Sequence, residues 1–369
     1  MTLPKDATKL KAPTLLQAFA RQQGWCSTLS PFSARVLQRS RLWLQADAQA
    51  LADFEALADD PLQAAVALRW LGGLHHLALR GLQPWAGLWP PASGAAQASD
   101  KALQAAVRAA WYEQPALVQA ALAGPPQTNE VQRSAALLPG LLHVAARTGL
   151  PLVLLEIGAS AGLNLWCDRY RHEHADAQGH AGWAWGDVSA ALTLRSEWRG
   201  PVPVEAGANL RIDRRAGCDA KPINLRDADA ALRLASFIWP DQPVRLARLR
   251  AAAGAAAVWM AQDSVAVQAS PAAAFVAAEL QTLQAGQTTV LMHSVVWQYI
   301  APAEQAAVLA SVHAAAQAAT ASAPLAWLRL EPTLLDQPVQ LRCQLWPGGE
   351  DRLLARAHPH GAWVEWLAA

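Results

Sequence analysis

Hydrophobic positions recur at helical spacing through the first third of the chain. Leu37, Leu42, Leu44, Leu51, Phe54 and Leu57 trace one amphipathic pattern. Ser30-Pro31 precedes it, an N-cap followed by a proline at the first helical position. Asp60-Pro61 starts another helix, and Gly81 is placed to end it. Pro84 to Gly94 is a loop rich in Pro, Gly and Trp, and Ser99 or Asp100 caps a further helix containing Trp111. No β-period interrupts this stretch. Residues 1–124 therefore read as a helical region, expected to pack on or cover the second half of the chain. Gly124-Pro125-Pro126 is a break. Thr128 then caps a helix to about Arg147, which Gly149-Leu150-Pro151 ends.

The pattern changes at residue 152. Leu152 to Ile157 is an apolar run with an acid, Glu156, near its end. A turn of small residues follows (Gly158, Ala159, Ser160, Ala161, Gly162), then a helix-like stretch carrying Asn164 and Asp168 at i, i+4. This order predicts a buried parallel strand, a tight loop and a helix whose N-terminus points at a ligand. Further strands are predicted at Arg211 to Cys218, Thr288 to His293 and Ala326 to Leu330, while Ala256 to Ala261 is an apolar run that turns polar at Gln262-Asp263. Helices are predicted between them, at Ala230 to Ile238, Val244 to Gly254 and Ala303 to Ala319. Val339 to Trp346, the turn Pro347-Gly348-Gly349, Leu353 to Ala357 and Ala362 to Trp366 read as antiparallel strands. Residues 125–369 are thus expected to form an α/β domain, its sheet mostly parallel with an antiparallel hairpin at the C-terminal end.

Composition narrows the function classes. Apolar residues make up 53% and charged residues 16%, which supports a large core and excludes disorder. The net charge of +1 gives no footprint for nucleic acid. No apolar run of about 18 residues predicts a membrane span, and no apolar signal segment follows Met1. Four dispersed cysteines without C-x-x-C suit reduced thiols and a cytoplasmic setting. The histidines His172, His174, His180, His358 and His360 match no metal motif, so no metal is expected.

The small-residue turn fits two chemistries. Gly158-x-Ser160-x-Gly162 can be a nucleophile elbow, with Ser160 attacking an ester or amide. Alternatively the glycines let backbone approach a nucleotide-like ligand while Glu156 receives its hydrogen bonds. The second suits the chain order better, because a hydrolase elbow normally comes after several strands and this strand is the first.

Glu156-x-Gly158-x-Ser160-x-Gly162 resembles the first motif of class I S-adenosylmethionine-dependent methyltransferases, with Ser160 where that family usually has a third glycine. The resemblance implies a Rossmann-like class I methyltransferase sheet with S-adenosylmethionine as cofactor. The loop would then pass under the methionine and ribose. Gly217 to Pro222 resembles the end of that family's second strand, so Asp219 would meet the ribose hydroxyls. The long spacing to it implies an insertion around residues 182–207. Gln262-Asp263-Ser264 resembles the loop after the third strand, where Asp263 would reach the adenine amine. Thr289 to Ile300 resembles the fourth strand and its loop. His293 would be a general base there, with Trp297 and Tyr299 walling the acceptor. Each position also has an ordinary alternative: a turn Asp at 219, a helix cap at 263, a core histidine at 293.

From about residue 60 the chain also resembles a bacterial family described only as a domain of unknown function. The segments that carry this likeness are Pro126 to Glu130, Leu155 to Asn164, Trp239 to Gln242, His293 to Tyr299 and His358 to Gly361. Asn129, Glu130 and Arg133 sit together at a helix start, facing the acceptor in this reading. Trp239 and Asp241 form a rigid corner that could be a lid residue set. The expected function is methylation of a small organic acceptor, with no nucleic-acid or membrane partner. The alternatives are a catalytically inactive ligand-sensing or interaction module of the same fold, and a serine hydrolase built on Ser160.

Overall fold

The computed structural model describes residues 14–368 except 93, 96, 97 and 334–336. The chain divides into two compact units. One comprises residues up to Thr128 together with Ala228–Ala247, and the other Asn129–Asp227 with Arg248–Ala369. The first unit is thus discontinuous in sequence, with the later segment 228–247 returning to it.

The helical unit contains α1 (Leu15–Leu29), α2 (Pro31–Ala46), α3 (Ala48–Glu55), α4 (Val66–Leu79), α5 (Trp85–Leu88), α6 (Asp100–Glu113) and α7 (Pro115–Leu122). Ser30 caps α2 by accepting from the Ser33 N–H, with Pro31 in the first turn, as the local sequence predicts. Phe19, Leu37, Leu44, Phe54 and Trp70 are fully buried, and Phe54 meets Trp70 edge-on at 5.1 Å. Each such side chain contributes roughly 1.5–3 kcal/mol through removal from water. Leu42 is an exception to the predicted stripe and stays exposed.

In the α/β unit a 3-10 turn, Val131–Arg133, leads into α8 (Ser134–Thr148). Glu130, not Thr128, caps this start by accepting from the Gln132 N–H. The strands are β1 (Leu152–Ile157), β2 (Arg171–Ala175), β3 (Ala181–Trp185), β4 (Thr193–Arg199) and β5 (Ile212–Asp219). Next come α9 (Ala228–Ser236), which folds with the helical unit, and α10 (Pro243–Gln262). β6 (Val267–Ala269), α11 (Ala272–Glu279), β7 (Thr288–Ser294), α12 (Pro302–Ala318) and β8 (Leu325–Pro332) follow. β9 (Val339–Trp346), β10 (Asp351–Ala357) and β11 (Trp363–Trp366) complete the sheet.

All eleven strands join one mixed, mostly parallel sheet in the order β3-β2-β4-β11-β10-β9-β8-β7-β1-β5-β6. The run β8-β7-β1-β5-β6 is parallel throughout. β8, β9, β10 and β11 are antiparallel to their successive neighbours, as the C-terminal pattern predicts. In the parallel run the chain first builds outward from β1 through β5 to β6, then restarts on the other side with β7 and β8. The β1/β7 boundary is thus a topological switch point, the place where open α/β sheets form their ligand crevice. Alternation along the strands sorts side chains to two faces. Leu155, Ile157, Leu291 and Trp327 pack with residues of α11 and α12. Glu156, Met292 and Leu328 occupy the alternate positions, and Leu328 lies against Gly140 of α8.

Three expectations are corrected. The segment after the small-residue turn is no α-helix but a 3-10 stretch, Leu163–Arg169, broken at Trp166. The carbonyls of Leu163 and Leu165 accept from Tyr170 Oη and Arg215 Nε, partners that replace the helical N–H groups. The inserted structure starts at β2 rather than residue 182. Ala256 to Ala261 is no strand but the last part of α10, where an alanine-rich run sustains the helix. Among the described residues, no helix is long and apolar enough to cross a membrane.

Candidate functional site

β1 delivers Glu156 to the α8 side of the sheet, where it is 1% exposed. Ser134 Oγ donates to Asn164 Oδ1 at 2.9 Å, which orients the Asn164 amide toward its hydrogen bond with Glu156. Glu156 Oε2 has no partner. Burial pushes this carboxyl up to about 8, against the opposing effects of Asn164 and Arg133. Glu156 is therefore mostly a neutral acid at neutral pH, not the charged acceptor its position in the sequence suggests.

The other predicted residues around β1 tie loops together. Asn129 Oδ1 accepts from the Leu163 N–H at 2.9 Å. Arg133 donates to Pro359 O at 2.9 Å and to Ser294 O at 3.2 Å, joining the loop after β10 to the end of β7. Gly361, at φ +69°, lies so close to Gln132 that a Cβ would come within 2.2 Å of its carbonyl oxygen. Only glycine fits this approach.

The small-residue turn is left-handed at Gly158 (φ +66°), Ser160 (+53°) and Gly162 (+73°). Asp219 clamps it: Oδ2 accepts from the Ser160 N–H at 2.9 Å, and Oδ1 from the Lys221 N–H at 2.8 Å. The space beside both glycines is taken by the protein itself. A Cβ at Gly158 would lie 2.4 Å from Val296 Cγ2, and one at Gly162 would lie 2.6 Å from Met260 Cε. Met260 also lines a cavity of about 500 Å³ between the segment that follows β5 and the segment that leads into β6, with Ile223, Asn224, Leu225, Val265 and Val267. Ser160 Oγ is buried without a hydrogen-bond partner, so no histidine is engaged to activate it.

His293 leaves β7 on the α11–α12 side, opposite Glu156. It does not join Asn129 and Glu130 as the sequence suggests, because 293 and 156 occupy opposite parities of paired strands. Its Nδ1 lies 2.6 Å from Glu331 Oε1 of β8, and its Nε2 is buried without a partner. Trp297 stacks on the ring at 5.2 Å and 19°. Tyr299 is 76% exposed.

Asp263 is corrected most plainly. It follows α10 and precedes β6, so it cannot occupy the loop after that strand, and it pairs with Arg169 at 2.6 Å. Trp239 and Asp241 fold with the helical unit. Trp239 packs on its core, and Asp241 accepts from the Phe32 N–H at 3.0 Å and from Ser30 Oγ.

His172 and His174 share one face of β2 and are both buried. Burial lowers them to about 4 and about 3 respectively, so both are neutral. Among the described residues, no group of three or more His, Cys, Asp or Glu is placed to hold a metal ion.

Sequence reasoning missed Glu331, Ser134 and Val296. Glu331 had a readable signal: Trp327, Arg329 and Glu331 alternate on a strand, ending in an acid beside the strand that carries His293. Val296 had none, since only the folded loop brings it over Gly158.

A family model described as an uncharacterized protein conserved in bacteria (DUF2332) matches residues 16–366. No curated protein and no solved structure matches the chain.

Proposed function

The chain belongs to this bacterial family, DUF2332, and we propose that its α/β unit is a Rossmann-like methyltransferase using S-adenosylmethionine on a small organic acceptor. The observation that carries the proposal is the strand order β6-β5-β1-β7-β8, which sets the acid-and-small-residue turn and the His293 loop at one switch point. The 500 Å³ cavity beside Met260, bordered by the segment that follows β5 and the segment that leads into β6, supports it. Its size is ordinary for a ligand pocket, and its apolar lining with Asn224, Arg226 and Ser264 as polar groups suits a heterocyclic base.

In this reading Glu156, Gly158, Ser160, Gly162, Asn164 and Asp219 hold the cofactor, whose sulfonium supplies the methyl group. The glycine backbone fits such a ligand only after Met260 and Val296 move. Met260, a flexible thioether, is the easier to displace. Glu156, kept neutral by burial, accepts from the Asn164 amide and has an O–H to donate to the ligand. Arg133 and Asn129 fix the surrounding loops, and His293 takes a proton if the acceptor must lose one. A balanced net charge suits a small acceptor better than a nucleic acid.

Calorimetry with S-adenosylmethionine and with S-adenosylhomocysteine tests the proposal. Saturable heat with either supports it, and no heat with either at high micromolar concentration rejects it. The packing of Val296 and Met260 against the turn favours a second reading, a ligand-sensing module of the same fold without turnover. Cofactor binding with no methylated product across an acceptor panel would select that reading.

A further inference from the structure

We propose that His293 and Glu331 form a proton-accepting pair for a ligand O–H or N–H, with His293 Nε2 receiving the proton and Glu331 acting as the positioning residue. The inference rests on the methyltransferase reading for the kind of ligand, and on geometry for the pair itself.

Glu331 Oε1 accepts from the N–H groups of Val296 at 3.1 Å and Trp297 at 3.3 Å. It lies 2.6 Å from His293 Nδ1. A carboxylate oxygen accepts and does not donate, so Nδ1 carries the ring hydrogen at that contact. In the neutral ring Nε2 is then the nitrogen with the free lone pair. That atom is buried and unpartnered, whereas buried polar atoms are normally paired. Other buried histidines of the α/β unit lack the combination. His143 has a carboxylate partner, Glu205, but no buried unpartnered nitrogen; His172 and His174 have such a nitrogen but no carboxylate.

The surroundings suit a proton acceptor. Trp297 and Trp327 flank the ring at 5.2 and 5.9 Å. Val295, a β-branched residue at φ +52°, holds the loop between Ser294 and Val296 in a conformation that such residues rarely adopt. In the step itself the ligand's X–H bond breaks and its electron pair stays on X. The proton bonds to Nε2, and the resulting imidazolium faces the Glu331 carboxylate. The acceptor is therefore a hydroxyl- or amine-bearing compound rather than a thioether.

Nitrogen-15 NMR of the ligand-free protein, with the His293 signals identified by their loss in H293Q, reads the tautomer directly. Peptide mapping after diethyl pyrocarbonate treatment of the folded protein reads access to Nε2. The expected result is a single Nδ1–H tautomer and modification of His293 that is slowed in E331Q and restored in E331D. A native ring protonated on Nε2 overturns the proposal. So does a His293 that reacts only after denaturation, or one whose reactivity ignores E331Q. Should E331Q fail to fold, the wild-type tautomer and the E331D rate still decide. Neither measurement needs cofactor, so failure to bind S-adenosylmethionine would reject the cofactor reading separately.

Discussion

Replacing Glu156 by glutamine keeps the shape of the side chain and removes its titration. In the folded protein burial raises the carboxyl from an ordinary 4.5 to about 8. Below pH 4.5 both folded and unfolded chains hold the proton. As pH rises above that value the unfolded chain releases it while the folded chain keeps it, so unfolding becomes progressively easier. The slope is about 1.4 kcal/mol per pH unit, and it ends near the folded value. The accumulated loss is about 3 kcal/mol at pH 7 and roughly 4–5 kcal/mol above pH 8. The side chain is fully buried, so no allowance for solvent screening is needed. E156Q should abolish this dependence, and its advantage over wild type should grow with pH across that window. Urea unfolding of both proteins at a series of pH values measures the difference. Stability curves that run parallel from about pH 5 to about pH 8 would refute the reasoning, because the carboxyl would then be ionised in both states.

Ala at position 158 meets Val296 and a left-handed backbone together, so G158A should lose about 2–4 kcal/mol by urea unfolding. Adding V296A should return part of that loss if the contact is real. The folded values of about 4 and about 3 for His172 and His174 imply acid sensitivity. The unfolded chain gains protons below about pH 6.5 that the folded chain refuses, costing roughly 2 kcal/mol per histidine at pH 5. H174F, which keeps an aromatic ring against Trp183 and Trp198, should reduce the drop in melting temperature between pH 7 and pH 5. A fluorophosphonate probe should leave Ser160 unlabelled by mass spectrometry, since no base contacts its hydroxyl.

Much of the parallel sheet was legible because its strands are short, apolar and bounded by small residues. β1 occupies Leu152–Ile157 as predicted, and the closing antiparallel strands fall where alternation places them. The misleading segments are those whose local pattern is ambiguous. The apolar run at 256–261 suits a strand or a helix, and the alanines before it settle the matter for α10. The stretch after Gly162 reads as helix at i, i+4, yet Arg215 and Tyr170, distant or downstream in sequence, claim its carbonyls. The arrangement of the candidate residues was only partly legible. Asn129, Arg133, Glu156 and Asn164 do gather in one region. His293 goes to the other side of the sheet because strand parity, invisible until register is known, decides direction.

β4 lies between β2 and β11, so the early insertion is bonded to the last strand in sequence order. Trp198 must wait for Val364 before that seam can close. A growing chain therefore carries the insertion as an unfinished ribbon with bare backbone groups along one side, a template for wrong pairing. Shortening the chain before Trp363 should leave those strands unmoored even though β1, its small-residue turn, β7 and β8 are all present.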